Sequence, residues 1–154
     1  MRKITSSILA GALFCSASAH AEGTQIGASP LLVAIGVTNI FWQIQGGDRV
    51  GITARYNNID GTYLDTRLDF TSYSLAYKSY FNSYAEGAYF ELGAASFDVE
   101  VSTNSDFTVG STIMPIAVAG YEWTFDSGFV LGLEGGLGTG GGMGILGVNT
   151  AFQF

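Results

Sequence analysis

Two carboxylates, Glu122 and Glu134, lie in stretches where apolar and polar residues alternate, so both can point to one side of a sheet. Folded about the turn signal Asp126-Ser127-Gly128 they become diagonal neighbours, roughly 7–8 Å apart at the backbone. Such a pair can share a proton, bind a cation, meet a base such as Arg55, or, given a sugar-sized cleft, cleave a glycoside. Lys78 and Glu91 form a second diagonal pair able to bridge, and Asn149 lies across from Glu134. These six residues make one candidate polar network, whose plainest role is to fill an interior with ion pairs. A different chemistry is suggested by Gly140-Gly141-Gly142, which could cradle a phosphate, but no Lys-Ser/Thr follows, and a lone glycine run is a weak signal.

The inventory excludes most other catalysis. The N-terminus reads as a secretory signal: Arg2-Lys3, the apolar run Ile8 to Cys15, then Ala19-His20-Ala21 before Glu22. Cleavage is expected after Ala21, with Ala19 as the lesser alternative. Phe14 is too bulky for a lipoprotein cut at Cys15. The organisation is therefore residues 1–21 as signal peptide and 22–154 as one domain. The mature chain loses the sole Cys, the sole His and two of six basic residues while keeping thirteen acidic ones, a formal charge near −9. Ser-His pairs, Cys nucleophiles and His metal sites are gone, so no catalytic residue, metal or cofactor is expected. Nucleic acid is excluded as a partner, because little basic charge remains to neutralise phosphates.

What elements position the six? Hydrophobic residues make up 47% of the chain and charged ones 12%, about half the usual charged share. The mature chain nevertheless lacks an apolar run of about 18 residues, so no spanning helix is evident. A closed β-barrel satisfies every backbone polar group in lipid without one. Turn signals at Gly46-Gly47-Asp48, Asn57 to Gly61, Asn82 to Ala85, Thr103 to Asp106, Asp126 to Gly128 and 140–142 divide the chain. Seven strands follow at about 31–45, 49–58, 64–81, 86–101, 108–125, 129–138 and 144–154. Membrane barrels of bacteria use even numbers, so an eighth comes from Glu22 to about Ser29, or from splitting 31–45. The expected fold is an all-β, transmembrane, antiparallel up-and-down barrel of eight strands.

Register can be estimated by centring each hairpin on its turn. Phe125 then faces Phe129, Trp123 faces Leu131, and Glu122 faces Gly132. The same procedure sets Tyr77 against Phe90, Lys78 against Tyr89, Leu131 against Phe152 and Phe129 against Phe154. Beyond Thr71 and Ser96 the alternation loses phase, which marks a membrane edge or a paired bulge. Within residues 128–148 glycine also recurs at every fourth position from Gly128 to Gly144, a helix-packing pattern. Ten glycines in those 21 residues, at about 0.8–1.0 kcal/mol each in a helix interior, make a hairpin the better reading.

Aromatics cluster beside one set of turns: Trp42, Tyr80, Tyr84, Tyr121, Trp123, Phe125 and Phe129. They are read as a girdle at a lipid–water interface. The opposite ends carry Asp60, Asp65, Asp69, Asp98, Glu100 and Asp106, an acidic outer rim. The ending GVNTAFQF resembles the C-terminal signature of bacterial outer-membrane barrels, with Leu146, Val148, Phe152 and Phe154 at alternate positions and Thr150 a weaker fit. With the signal and strand spacing, the mature chain resembles the small outer-membrane β-barrel superfamily of OmpX-like and opacity-like proteins. The resemblance implies outer-membrane localisation, recognition by the barrel-assembly machinery, contact with outer-membrane lipid and lipopolysaccharide, and a monomer. Three functions fit it: a structural or surface-interaction protein with a plugged interior; a narrow, porin-like pore for water, ions or very small solutes; or a lipid-modifying enzyme, disfavoured because the mature chain lacks His.

Overall fold

The computed structural model describes residues 23–34, 36–63, 66–102, 106–138 and 143–154. The cleavage residues Ala19, Ala21 and Glu22, with Asp65 and the loop 140–142, lie outside the described residues. Eight strands follow one another: β1 (Gln25–Ala28), β2 (Val37–Gly47), β3 (Val50–Tyr63), β4 (Thr66–Tyr80), β5 (Gly87–Ser102), β6 (Asp106–Thr124), β7 (Phe129–Gly138) and β8 (Met143–Gln153). Each pairs antiparallel with the next and β8 returns to β1, which closes the barrel. Short turns at Asp48-Arg49, 81–86 and 125–128 lie at one end, beside Gly23 and Phe154. There the Phe154 carbonyl accepts from the Gly23 amide at 2.9 Å, and the Phe154 amide donates to the Thr24 carbonyl at 2.9 Å.

The eighth strand is thus supplied by the segment before Pro30. Residues 30–34 do not begin a strand; they form a short helix, α1 (Pro30–Ala34). Proline at the first helical position carries no amide needing a partner, and Gly36, at φ 85°, ends the turn before β2. Nor do Asn57 to Gly61 form a turn: they lie inside β3, paired with β4 through to Tyr63. Asn57 donates to Ser72 Oγ at 2.9 Å and Asn58 to Thr71 Oγ1 at 3.0 Å, so polar residues are satisfied sideways within the sheet.

The β6–β7 pairing is as the turn predicts, with Trp123 opposite Leu131 and Glu122 opposite Gly132. Two other hairpins are offset by two residues from the centred estimate. Tyr77 lies opposite Leu92 and Lys78 opposite Glu91, because Ala85 and Gly87 adopt positive φ and the reversal sits at Ser83–Glu86. Phe129 lies opposite Phe152, with ring centroids 5.7 Å apart, and Leu131 opposite Thr150. That shift leaves Phe154 free to bond across to β1. An even offset keeps every side chain on its face.

The sidedness of the wall inverts along its height. Near the turns Ile52, Leu75, Tyr77, Phe90, Leu92 and Leu133 project outward and are exposed, while Thr53, Lys78, Glu91 and Glu122 project inward and are buried. Farther along, Asn58, Asp60, Asp69, Thr71, Asp98 and Glu100 occupy the outward phase, and Phe70 packs against inward Phe97 at 5.8 Å. The change occurs within β3 and β4 without any register break between them. A bulge does occur, between β5 and β6 at Phe97/Val99. The lost phase is therefore a change of surroundings on the outside, joined at one seam by a bulge.

Candidate functional site: the polar column inside the barrel

Strand β3 sends every second residue inward, and Thr53, Arg55 and Asn57 each anchor one polar layer. Thr53 belongs to the layer nearest the turns. Its hydroxyl donates to Gln43 Oε1 at 3.1 Å, Gln43 Nε2 donates to the Tyr80 hydroxyl at 2.7 Å, and Tyr80 donates to Glu122 Oε2 at 2.7 Å. The other Glu122 oxygen pairs with Lys78 Nζ. That ammonium also sits 3.8 Å from the Tyr89 ring centroid, a cation–π contact. Beneath this layer the buried rings of Tyr80 and Tyr84 meet edge to face at 5.5 Å and close the turn end. Burial pushes the Tyr84 phenol above its ordinary range.

Arg55 anchors the middle layer. Its guanidinium makes a forked pair with Glu134, Nη1 to Oε1 at 2.7 Å and Nη2 to Oε2 at 3.1 Å. Tyr89 donates to the same carboxylate at 3.2 Å. Glu91 Oε2 lies 3.8 Å from Arg55 Nη2 and accepts no hydrogen bond among the described residues. Asn57 anchors the third layer, accepting from Asn39 and donating to Ser72, while Asn39 Oδ1 accepts the Ser29 amide at 2.7 Å.

All six network residues are thus inside the barrel, but their partners differ from the expected ones. Lys78 and Glu91 are opposite one another in register, yet Lys78 pairs across the lumen with Glu122. Glu122 and Glu134 are diagonal neighbours, yet each is taken by a different cation, so they do not act as a carboxylate pair. Asn149 lies opposite Gly132 and is buried. Glycines on the β6–β8 side provide the room. A Cβ on Gly147 would meet Glu134 Cγ at 3.0 Å, and one on Gly120 would meet the Tyr89 ring at 2.5 Å. The glycine-rich lining is therefore filled by the bulky side chains of the network. Among the described residues no group of three or more His, Cys, Asp or Glu could hold a metal.

The aromatic girdle needs one correction. Tyr80 and Tyr84, at 3% and 8% exposure, point inward because Tyr80 shares the phase of Lys78 and its hydroxyl is needed by Glu122. Trp42, Tyr121, Trp123, Phe125 and Phe129 lie on the outer side near the turns. Tyr121 and Trp123 rings stand 4.6 Å apart and Phe125 and Phe129 rings 5.8 Å apart. Phe81 and Phe90 add a further pair at 6.3 Å. Away from the turns another aromatic pair, Tyr56 and Tyr73 at 5.2 Å, marks the height where the outer face turns polar. Its sequence signal is that each tyrosine closes an alternating apolar run, Ile52-Ala54-Tyr56 and Tyr77-Leu75-Tyr73. Of the terminal signature, Leu146 and Phe152 are exposed and Val148 half-buried on the outer face.

No family model matches the sequence, and a search of curated proteins gives no match. Among the solved structures that share the fold are two outer-membrane proteins. One is the N-terminal β-barrel domain of Pseudomonas aeruginosa OprF, with a TM-score of 0.66 at 17% identity over 87% of this chain and 98% of that one. The other is Ail, the attachment invasion locus protein of Yersinia pestis, solved with the heparin analogue sucrose octasulfate; its TM-score is 0.53 at 15% identity over 86% and 99% of the two chains.

Proposed function

We propose that this chain, with the fold of the OprF and Ail barrels, is an integral outer-membrane β-barrel protein with a structural or surface-interaction role and no enzymatic one. The observation that carries the reading is the wall's inverted polarity: apolar outside over one belt, charged and hydrogen-bonded inside. Leu75, Leu92, Leu137 and Leu146 are 62%, 53%, 64% and 80% exposed. A contiguous apolar belt of this kind marks an interaction surface, and a barrel surface bounded by an aromatic row at the turn end and by the Tyr56–Tyr73 pair at the other suits a bilayer. From Tyr73 to Phe81 there are nine residues, and a tilted strand needs about 9–11 to cross. The termini and short turns then face the periplasm, and the acidic rim faces outward, toward lipopolysaccharide.

The interior supports a plug over a pore. Both cations and the carboxylates Glu122 and Glu134 are engaged across the lumen, and the space beside the glycines is occupied. A heat-modifiability gel on outer-membrane fractions tests the membrane reading. The unheated protein should migrate faster than the boiled one, and deletion of Phe154 should weaken that band; a soluble periplasmic protein without a shift would overturn it. In planar bilayers the folded protein should show no steady conductance.

A further inference from the structure

β1 ends at Ala28, whereas β2 and β8, on either side of it, continue farther from the turns. Past Ala28 the wall has a slot one strand wide, and α1 packs there between β2 and β8. Two strand spacings give roughly 9.5 Å, while a helix with its side chains is about 10–12 Å across. The helix therefore cannot sit flush. On the inner side the seam is sealed by polar bonds: the Ser29 amide to Asn39, and the Ser29 hydroxyl to the Val148 carbonyl at 2.7 Å. On the outer side it leaves a groove of about 400 Å³, lined by Ala28, Val33, Gly36, Thr38 and Ile40 among others.

The height of the groove identifies its occupant. Ile40 pairs with Tyr56, whose ring meets Tyr73, and Thr38 pairs with Asn58. The groove thus straddles the level where the outer face passes from apolar to polar, open to the belt on one side and to the rim on the other. Leu31, Val33 and Ile40 are exposed around it at 50%, 54% and 52%. The geometry points to a site for one lipid acyl chain, lying between α1 and β2 with its headgroup end near Thr38. This rests on the membrane reading above: the groove is continuous with the belt, so its neighbours are acyl chains of the leaflet beside the rim.

The test uses the full chain folded into phosphatidylcholine vesicles, extracted in mild detergent and weighed by native mass spectrometry. Wild type should retain one phosphatidylcholine per barrel. Ile40→Trp, which fills the groove, should lower occupancy at least about fivefold, the equivalent of burying one or two fewer methylenes. Leu92→Trp, elsewhere on the belt, should leave it unchanged. Each variant is first checked for the fast unheated band; if Ile40→Trp lacks it, Val33→Trp on the helix takes its place. No retained lipid, equal retention in the groove variant, or a second copy of the chain in place of lipid would overturn the inference. A wild-type chain that stays in the aqueous phase without a band shift would instead overturn the membrane reading itself.

Discussion

Replacing Glu134 with Gln should destabilise the folded barrel by about 3 kcal/mol, the low end for breaking a buried ion pair. Glu134 is buried and accepts three hydrogen bonds, two from the Arg55 fork at 2.7 and 3.1 Å and one from Tyr89 at 3.2 Å. An amide keeps one acceptor but turns a donor toward the guanidinium. Arg55 is left with Glu91 at 3.8 Å, which partly compensates its charge and holds the cost at the lower limit. Arg55→Met is worse, about 5 kcal/mol, because Glu91 and Glu134 both lose their cation while Lys78 stays with Glu122. The double variant should recover part of that loss, since only Glu91 remains uncompensated. Urea unfolding in lipid vesicles, read by tryptophan fluorescence, gives the three values. If the lumen were wet enough to screen the pair, Glu134→Gln would cost under about 1 kcal/mol and the two single effects would add. Either result would refute the desolvated plug.

Gly120→Ala places a Cβ 2.5 Å from the Tyr89 ring and 2.5 Å from the Leu133 carbonyl, so it should cost about 1–3 kcal/mol in the same unfolding assay. Leu92→Arg at mid-belt should cost about 2–4 kcal/mol and Asp98→Arg at the rim about 0–1; equal costs would show that the outer face meets one medium throughout. Tyr84→Phe should not lower stability in that assay, because among the described residues the buried Tyr84 hydroxyl makes no hydrogen bond and its removal leaves no partner unpaired.

The barrel was legible in the sequence because an apolar outer face and a polar lumen impose a period of two on every strand. That same period made Arg55, Lys78, Glu91, Glu122, Glu134 and Asn149 recognisable as lumen residues. It could not say which carboxylate meets which cation, since the pairs form across the lumen between β3 and β7 and between β4 and β6. Tyr80 was misplaced because aromatic crowding near a turn is shared by girdle and core, and only the phase of Lys78 separates them. Asn57 to Gly61 has turn composition, yet forms strand where Ser72 and Thr71 satisfy its amides. β1 was hard to place for a real reason: it pairs through only four residues and yields its place to a helix.

Both misjudged hairpins were off by two, and the physics of register explains why. A slip of one residue would drive Ile52, Ala54 and Tyr56 into the lumen and Thr53, Arg55 and Asn57 out of it, so alternation forbids it outright. A slip of two leaves every face intact, and the belt is indifferent to it. The lumen is not. Moving β4 by two against β5 would carry Lys78 from Glu91 to Tyr89 and alter its height relative to Glu122; moving β8 against β7 would take Gly147 from beside Glu134. Barrel closure adds a constraint, since all eight offsets must sum to one shear. The buried charges then have a role that does not depend on net stabilisation, which for buried ion pairs is often small. Beside the reversal at Ser83–Glu86, they are expected to discriminate among even registers that the hydrophobic pattern leaves equivalent. On this account, a barrel with apolar replacements for Lys78, Glu91 and Glu122 would still insert but populate more than one register, visible as doubled amide signals along β4 and β5 in NMR spectra. A single clean set would show that the turns alone fix the register.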